Sequence, residues 1–181
     1  MSQALTLSNR QVARAVDLRL LRRIVRALLR DLLRQEGFEL DICLVASAEM
    51  TRVNETFLRH KGPTDVITFD YGKKDPLSRA RRSRTALHKP QKGPRSLLGE
   101  VLICVPEVLT QAPQFGAKWQ NELIRCVIHG MLHLRGYDDH TASSRRRMKR
   151  EEDRLLHQLE SRFELRKLAL RKRALPLIMA P

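Results

Sequence analysis

The chain has 181 residues, of which 42% are hydrophobic and 30% charged, which is enough to bury a core and excludes a disordered chain. Its 35 Lys and Arg outnumber 20 Asp and Glu, and the net charge of +15 favours a polyanion, above all nucleic acid, over a membrane surface. Three cysteines in apolar runs, no secretory pattern and no apolar run of about 18 residues predict a soluble intracellular protein without a disulfide framework.

Strand and helix patterns follow one another along the chain. The predicted strands cover 5–8, 38–46, 65–69 and 97–105, and the predicted helices cover 17–35, 50–59, 106–114, 118–134 and about 143–166. Asp17, Ser47 and either Ser143 or Ser144 are the predicted N-caps. These elements predict one α+β domain over 1–165, in which about five helices pack on a small mixed sheet of about four strands.

Two strongly basic segments interrupt or follow this pattern. Residues 72–96 hold nine Lys or Arg and one acid, Asp75, without an apolar period. We predict that they form a loop or hairpin tip inserted in the domain. Residues 166–181 are basic and then apolar, and we predict a C-terminal tail that frays or docks on a partner.

Half of the six histidines lie within twelve residues, at His129, His133 and His140. His129 and His133 are four residues apart on a predicted helix, which puts both imidazoles on one face with about 5–6 Å between Cβ atoms. Gly136 ends the helix, so the chain can turn back and offer His140 as a third ligand. Three protein ligands and an open fourth position are typical of a catalytic zinc site.

A zinc ion on these imidazoles would lower the pKa of a bound water to about 7 and polarise a phosphoryl oxygen, so the pattern predicts a metal-dependent hydrolase. Asp138 and Asp139 are candidates to hydrogen-bond a ligand imidazole or to cap the turn. Cys126 is a less favoured ligand, because its apolar neighbours predict core packing. Gly130 stands where His-Glu-x-x-His peptidases have their general base, which weighs against proteolysis.

Arg59 marks a second informative stretch, just before a turn at Gly62 and Pro63. A guanidinium at this place can hold a phosphate through two hydrogen bonds. From the residues alone, a surface arginine at a helix end is the simpler interpretation.

These motifs together resemble the YbeY family of endoribonucleases, which mature ribosomal RNA in bacteria and organelles. Residues 129–140 are similar to the family's His-Gly-x-Leu-His-Leu-x-Gly-Tyr-Asp-His, and residues 63–69 to its Pro-Thr-Asp-Val-(Leu/Ile)-Ser-Phe. Residues 98–103 look like its Leu-Gly-Asp-Ile-x-Ile. The resemblance covers about residues 3–160 and includes a highly specific histidine motif.

The resemblance implies one zinc ion per chain and single-strand-specific endonuclease activity in ribosomal RNA processing and ribosome quality control. By position, His129 and His133 are metal ligands, His129 is also catalytic, and Arg59 is the functional arginine that faces the metal. We expect an RNA-binding surface that includes Arg59, Lys61, Arg79, Arg81, Arg82 and Arg84. The expected partners are single-stranded ribosomal RNA and the small subunit or its assembly factors, in the bacterial cytoplasm or an organelle and away from membranes.

The chain departs from the family pattern at the third ligand. Six residues rather than five follow His133 before His140, so either the turn bulges and His140 still binds, as we expect, or Asp139 takes its place. The next helix is acidic in the family but begins here with residues 145–147, all arginine. Two other functions stay open: a ribosome assembly factor whose zinc is mainly structural, and a metallopeptidase.

Overall fold

The computed structural model describes residues 2–72 and 96–170. The strands in these ranges are β1 (Gln3–Asn9), β2 (Phe38–Val45), β3 (Val66–Asp70) and β4 (Leu97–Cys104). The helices are α1 (Leu18–Ala27), α2 (Ser47–Val53), α3 (Val105–Gln114), α4 (Trp119–Leu134) and α5 (Ala142–Glu160). Single π-helical turns, Leu28–Leu32 and Asn54–Leu58, extend α1 and α2, and a 3₁₀ turn covers Leu165–Leu168.

The four strands form one mixed sheet in the order β1-β2-β4-β3. β1, β2 and β4 are parallel, with Leu44 of β2 opposite Ile103 of β4. β3 is an antiparallel edge strand that places Thr68 opposite Val101. This mixed sheet with five helices confirms the predicted α+β class.

Alternating side chains give the sheet two different faces. On β2, Leu40 and Ile42 point into the larger core, which α1, α3, α4 and α5 complete, while Glu39 and Asp41 are exposed. On the opposite face, α2 packs Met50 into a smaller apolar cluster. Within the described ranges no helix has both the length and the apolar character that a membrane span requires.

The long helix α4 lies unusually close to β3 and β4 because of Gly130. A Cβ atom at this position would lie 2.8 Å from Cγ1 of Val101 on β4 and 3.1 Å from Oγ1 of Thr68 on β3. Both distances are shorter than an ordinary carbon contact of about 3.5–4.0 Å. The absence of a side chain therefore lets α4, and with it His129, sit directly on the sheet.

One of the predicted N-caps is confirmed and the others are wrong. The Asp17 carboxylate accepts hydrogen bonds from the backbone of residues 19 and 20 at the start of α1. Ser47 is already the first helical residue of α2, and the N-cap position before it has no side-chain hydrogen bond. Thr141 caps α5, and Ser144 completes a capping box by accepting a hydrogen bond from the Thr141 N–H.

The folded domain extends beyond the predicted boundary at residue 165. Leu168 is fully buried in the main core, and its carbonyl oxygen accepts a hydrogen bond from the Asp17 N–H at 2.9 Å. Ala169 forms an isolated β-bridge with Val16. The first residues of the predicted tail thus pack beside the start of α1, whereas 171–181 and most of the basic insertion, 73–95, lie outside the described residues.

Candidate metal centre and cleft

His129 and His133 lie on one face of α4, as their spacing predicts, and their Nε2 atoms are 2.9 Å apart. The other ring nitrogens are engaged: Nδ1 of His129 is 2.8 Å from Oε1 of Glu152, and Nδ1 of His133 is 3.2 Å from the carbonyl oxygen of Tyr137. An imidazole that donates from Nδ1 has its lone pair on Nε2. Two such lone pairs facing each other need a shared proton or a cation between them.

Asp139, and not His140, is the third potential ligand that the structure brings to this pair. The ligand atoms of His129, His133 and Asp139 all lie within 4.8 Å of one another, with Oδ2 of Asp139 3.9 Å from Nε2 of His133. The His140 side chain is 90% exposed, and its Nε2 is 3.4 Å from Oδ1 of Asp138. The alternative in which Asp139 replaces the family's third histidine therefore fits this geometry better than the expected bulge.

Asp138 has a role in the turn itself. Its Oδ1 accepts a hydrogen bond from the His140 N–H at 3.1 Å, and this bond lowers the pKa of Asp138. Asp138 therefore caps the turn, which is one of the two roles predicted for it. Asp138, Asp139 and His140 also form a second group of ligand atoms within 4.8 Å of one another, on the exposed side of the turn.

Two arginines at the start of α5 support the turn that presents Asp139. Nη1 of Arg145 donates to the carbonyl oxygens of Asp139 and His140, at 3.0 and 3.1 Å. The guanidinium of Arg147 lies over the Tyr137 ring, 5.4 Å from its centroid. Cations are unfavourable at a helix N-terminus, where the helix dipole is positive. The arginines at the start of α5 could therefore have been expected to have partners nearby. These two arginines thus have structural partners in the turn.

The histidine pair opens into a cleft of about 770 Å³, a volume typical of ligand sites. β3 and the loop before it form one wall, α3 and its C-terminal turn another, and α4 and α5 the floor. The lining residues are Thr64, Asp65, Val66, Gln111, Phe115, Ala117, Glu122, Arg125, Cys126, His129, His133, Asp139, Lys149 and Glu152. Over the whole lining, four carboxylates against two cations make the cleft attractive to a metal ion, in contrast to the basic chain as a whole.

Glu152 is a residue of the cleft lining, in contact with His129, that the sequence reasoning missed. It lies on α5 between Met148 and Leu155, and both of these neighbours are buried in the main core. Glu152 is itself only 8% exposed. A carboxylate on the apolar stripe of an amphipathic helix is rare without a partner. The position of Glu152 on this stripe could therefore have indicated a buried carboxylate with a partner.

Burial and charge shift the pKa values of two groups in the cleft. Burial opposes protonation of His129, but the hydrogen bond and charge of Glu152 outweigh it and raise the pKa of His129 above its ordinary value. Burial also raises the pKa of Glu122, and Arg125, whose Nε is 3.8 Å from Oε2 of Glu122, offsets only part of this shift.

Cys126 lines the cleft floor as a buried thiol. Burial raises its pKa well above the ordinary value, and the nearby Asp65 carboxylate, whose Oδ2 is 3.9 Å from Sγ, acts in the same direction. Metals bind the thiolate rather than the thiol. This environment favours the packing role predicted for Cys126 over metal ligation.

Arg59 is exposed at the end of the π-helical turn and has a left-handed backbone with φ of 56°. Lys61 is exposed in the same loop, which leads to Thr64 on the cleft wall. Neither Arg59 nor Lys61 is among the described residues that line the cleft itself. The other predicted RNA-binding residues, Arg79, Arg81, Arg82 and Arg84, lie outside the described residues.

Comparison with known proteins identifies the group to which this chain is related. Residues 6–160 match the family model described as Endoribonuclease YbeY. The Endoribonuclease YbeY of Chlorobium luteolum is 33% identical over 125 residues, which are 69% of this chain and 77% of that protein. The Petrotoga mobilis protein of the same description is 27% identical over 152 residues, which are 83% of this chain and 92% of that protein.

A solved structure has a similar fold. The solution structure of TM1509 from Thermotoga maritima superposes with a TM-score of 0.56 and 21% sequence identity. The match covers 87% of this chain and 90% of that one. Because the family model covers most of the chain, including the histidine motif, the chain belongs to the YbeY family of endoribonucleases.

Proposed function

We propose that this protein is a zinc-dependent, single-strand-specific endoribonuclease that acts in ribosomal RNA maturation and ribosome quality control. One observation carries the proposal: two facing Nε2 atoms, with Asp139 beside them, lie in an open cleft of a chain from an endoribonuclease family. His129, His133 and Asp139 would hold one zinc ion, and Asp139 replaces His140 in the ligand set that we first expected.

The donor atoms suit zinc in number, type and spacing. Two imidazoles and one carboxylate form the ligand set of several catalytic zinc sites, with a fourth position for water or substrate. In tetrahedral geometry, Zn–N bonds of about 2.0–2.1 Å place two ligand nitrogens about 3.3 Å apart. The observed 2.9 Å between the two Nε2 atoms requires only a small rotation of one ring.

The bound zinc would supply a nucleophile at neutral pH and a positive charge that stabilises the phosphorane-like transition state. The side chains and backbone of the protein would orient the metal ligands and bind the RNA strand. Glu152 holds the His129 ring by Nδ1, and the Tyr137 carbonyl holds that of His133. Lys149 on the cleft floor, and Arg59 on the loop beside it, would contact phosphates of the bound strand, whereas Arg125 is paired with Asp153 at 2.6 Å.

The net charge of +15 supports a nucleic acid as the substrate, and we propose that this is ribosomal RNA. We propose the small ribosomal subunit or its assembly factors as partners, in the cytoplasm of a bacterium or in an organelle. The basic residues of the insertion, Arg79, Arg81, Arg82 and Arg84, would extend the RNA-binding surface.

A cleavage assay with His133→Ala tests this function. We expect the metal-loaded protein to cleave a single-stranded oligoribonucleotide but not the matching duplex, and the variant to lose cleavage while it keeps RNA binding. The metal content of both preparations should be measured in parallel, with zinc, nickel, manganese and iron determined together. His157→Ala, which changes a histidine on α5 outside the cleft lining, is the matched control and should cleave normally.

The same preparations distinguish the two alternative functions. Cleavage that persists in His133→Ala would point to a contaminating nuclease and to an assembly factor whose zinc is mainly structural. Hydrolysis of unstructured peptides without hydrolysis of RNA would point to a metallopeptidase. Either result would overturn the proposed function.

A further inference from the structure

Phe115 is the most exposed aromatic side chain in the described part of the chain, at 72%. It directly follows α3 and lines the same cleft as His129 and His133. An exposed phenylalanine forgoes most of the free energy that burial of its ring would contribute to folding. Isolated exposed apolar residues are common, but this one lies at the rim of the cleft that contains the metal ligands.

The position of Phe115 is fixed by its backbone. Its N–H donates to the carbonyl oxygen of Ala112 at 3.2 Å, and the N–H of Ala117 donates to the same oxygen at 2.9 Å. Gly116 between them adopts φ of +63°, a left-handed conformation that turns the chain back towards α4. The aromatic ring is therefore carried on a hydrogen-bonded turn and not on a frayed helix end.

We propose that Phe115 stacks on a nucleobase of the single-stranded RNA whose backbone crosses the histidine pair. This inference rests on the proposed function and specifies how its substrate is held. Every nucleobase offers a flat face, so an aromatic platform binds single strands with little sequence preference. A paired base is covered on both faces by its neighbours in the duplex, so Phe115 also contributes to the preference for single strands.

The other groups of the cleft complement a stacked nucleotide. Gln111, one turn earlier on α3, lines the cleft and offers an amide that can hydrogen-bond a base edge. Lys149 lines the same cleft and offers a cation for a flanking phosphate. Aromatic, amide and cationic groups thus line one cavity together with the metal ligands.

Fluorescence anisotropy with a labelled single-stranded oligoribonucleotide of about eight nucleotides tests the proposal. All variants are made in the full-length His133→Ala chain, so that the probe is not cleaved. We expect Phe115→Ala to weaken binding at least about 5-fold and Phe115→Trp to restore it, because stacking is worth about 1–3 kcal/mol per base. Phe57→Ala is the matched control, since Phe57 is 65% exposed, packs on Phe69 and is not among the residues that line the cleft.

A second probe separates stacking from a general loss of affinity. An oligomer of the same length without nucleobases should bind the Phe115→Ala chain and its parent equally well. The proposal is overturned if Phe115→Ala binds the normal oligonucleotide as tightly as its parent, if Phe57→Ala weakens binding to the same extent, or if the loss persists with the base-free probe. If the wild-type chain cleaves RNA in any of these cases, only this inference fails. If it neither binds nor cleaves RNA, the proposed function fails as well.

Discussion

The Glu152 carboxylate of α5 lies 2.8 Å from Nδ1 of His129 on α4 and thereby fixes the direction in which Nε2 points. Loss of an outer hydrogen-bond partner of this kind lowers metal affinity about 10–100-fold. We therefore expect Glu152→Ala to weaken zinc binding by this factor, and Glu152→Gln, which keeps an acceptor oxygen, to weaken it less. Competition with a chromophoric chelator measures both affinities.

The neighbouring Glu151 provides the control for this prediction. Its carboxylate pairs with Arg154 on the outer side of α5, with Oε1 2.6 Å from Nη2, and it does not line the cleft. Glu151→Ala should bind zinc like the wild type. An equal loss of affinity in Glu151→Ala and Glu152→Ala would mean that α5 acts through overall stability and not through the His129 ring.

The choice between Asp139 and His140 as third ligand gives a second prediction. We expect Asp139→Ala to lose zinc affinity by at least about 100-fold, the upper end for an outer partner, because a direct ligand is removed. His140→Ala, which removes a 90% exposed side chain, should keep one zinc per chain. Metal content after dialysis against a weak chelator measures both, and the reverse outcome would show that the turn rearranges to let His140 bind.

The sequence predicted the parts of the site that depend on local periodicity. The four-residue spacing on a helix was sufficient to place His129 and His133 on one face. The position of Asp139 beside this pair was not predictable in this way, because the path of the turn depends on Arg145 and Arg147 of the following helix. These contacts exist only after α5 has packed beside α4.

For the fold too, the sequence predicted the features that depend on local patterns but not those that depend on tertiary contacts. Strand alternation and helix periodicity located the four strands and five helices of the described ranges, but the predicted end of α5 at about residue 166 lies well beyond its end at Glu160. The packing of Leu168 in the main core and its backbone hydrogen bond with Asp17 join residues that are distant in sequence, so local periodicity did not predict them. The role of Gly130 was likewise visible only once Val101 of β4 lay beneath it.

The raised pKa of His129 predicts how zinc affinity depends on pH. Zinc binds the neutral imidazole, so the His129 proton must leave when the metal enters. Because the pKa of His129 lies above its ordinary value, proton competition extends to higher pH than for a free histidine. Below this pKa the apparent affinity should fall about tenfold per pH unit for each proton released. Calorimetric titrations in buffers of different ionisation enthalpy count the protons.

The same shift predicts the opposite pH trend for stability without metal. A histidine whose pKa is higher in the folded state stabilises that state below the unfolded value of about 6.5, and this contribution is lost as pH rises through the folded pKa. Glu152→Gln removes the charge that raises the pKa of His129, so the Tm difference between wild type and variant should be largest at acidic pH. A difference that grows above neutral pH would contradict the assigned partner.

Gly130→Ala tests the close packing of α4 on the sheet. Alanine gains about 1 kcal/mol of helix propensity over glycine, but the new Cβ would overlap the buried Val101, and overpacking costs about 1–3 kcal/mol. We expect a net loss of about 1 kcal/mol in the free energy of unfolding, measured by denaturant titration. If the overlap is the cause, the double variant with Val101→Ala should lose less than the sum of the two single variants. If the two losses of unfolding free energy are strictly additive, the overlap with Val101 is not the cause.

Arg59 combines a strained backbone with a predicted RNA contact, and these can be separated by substitution. The left-handed conformation costs about 1–2 kcal/mol for a residue with a Cβ, of which glycine recovers part after its own entropy loss. Arg59→Gly should therefore raise the free energy of unfolding by about 0.5–1 kcal/mol. Arg59→Gly should also weaken RNA binding. The slope of log binding constant against log salt concentration should fall by about the amount that corresponds to one phosphate contact.

Arg34 is the matched position, because it is the other non-glycine residue of positive φ in the described ranges, at 53°. Arg34→Gly should give a similar gain in stability with unchanged RNA affinity, since Arg34 is not part of the cleft lining or of the loop that carries Arg59. Urea titrations and binding at several salt concentrations measure both quantities. If both variants lose RNA affinity equally, the loss is caused by the lower net charge. Arg59 would then make no specific contact with the RNA.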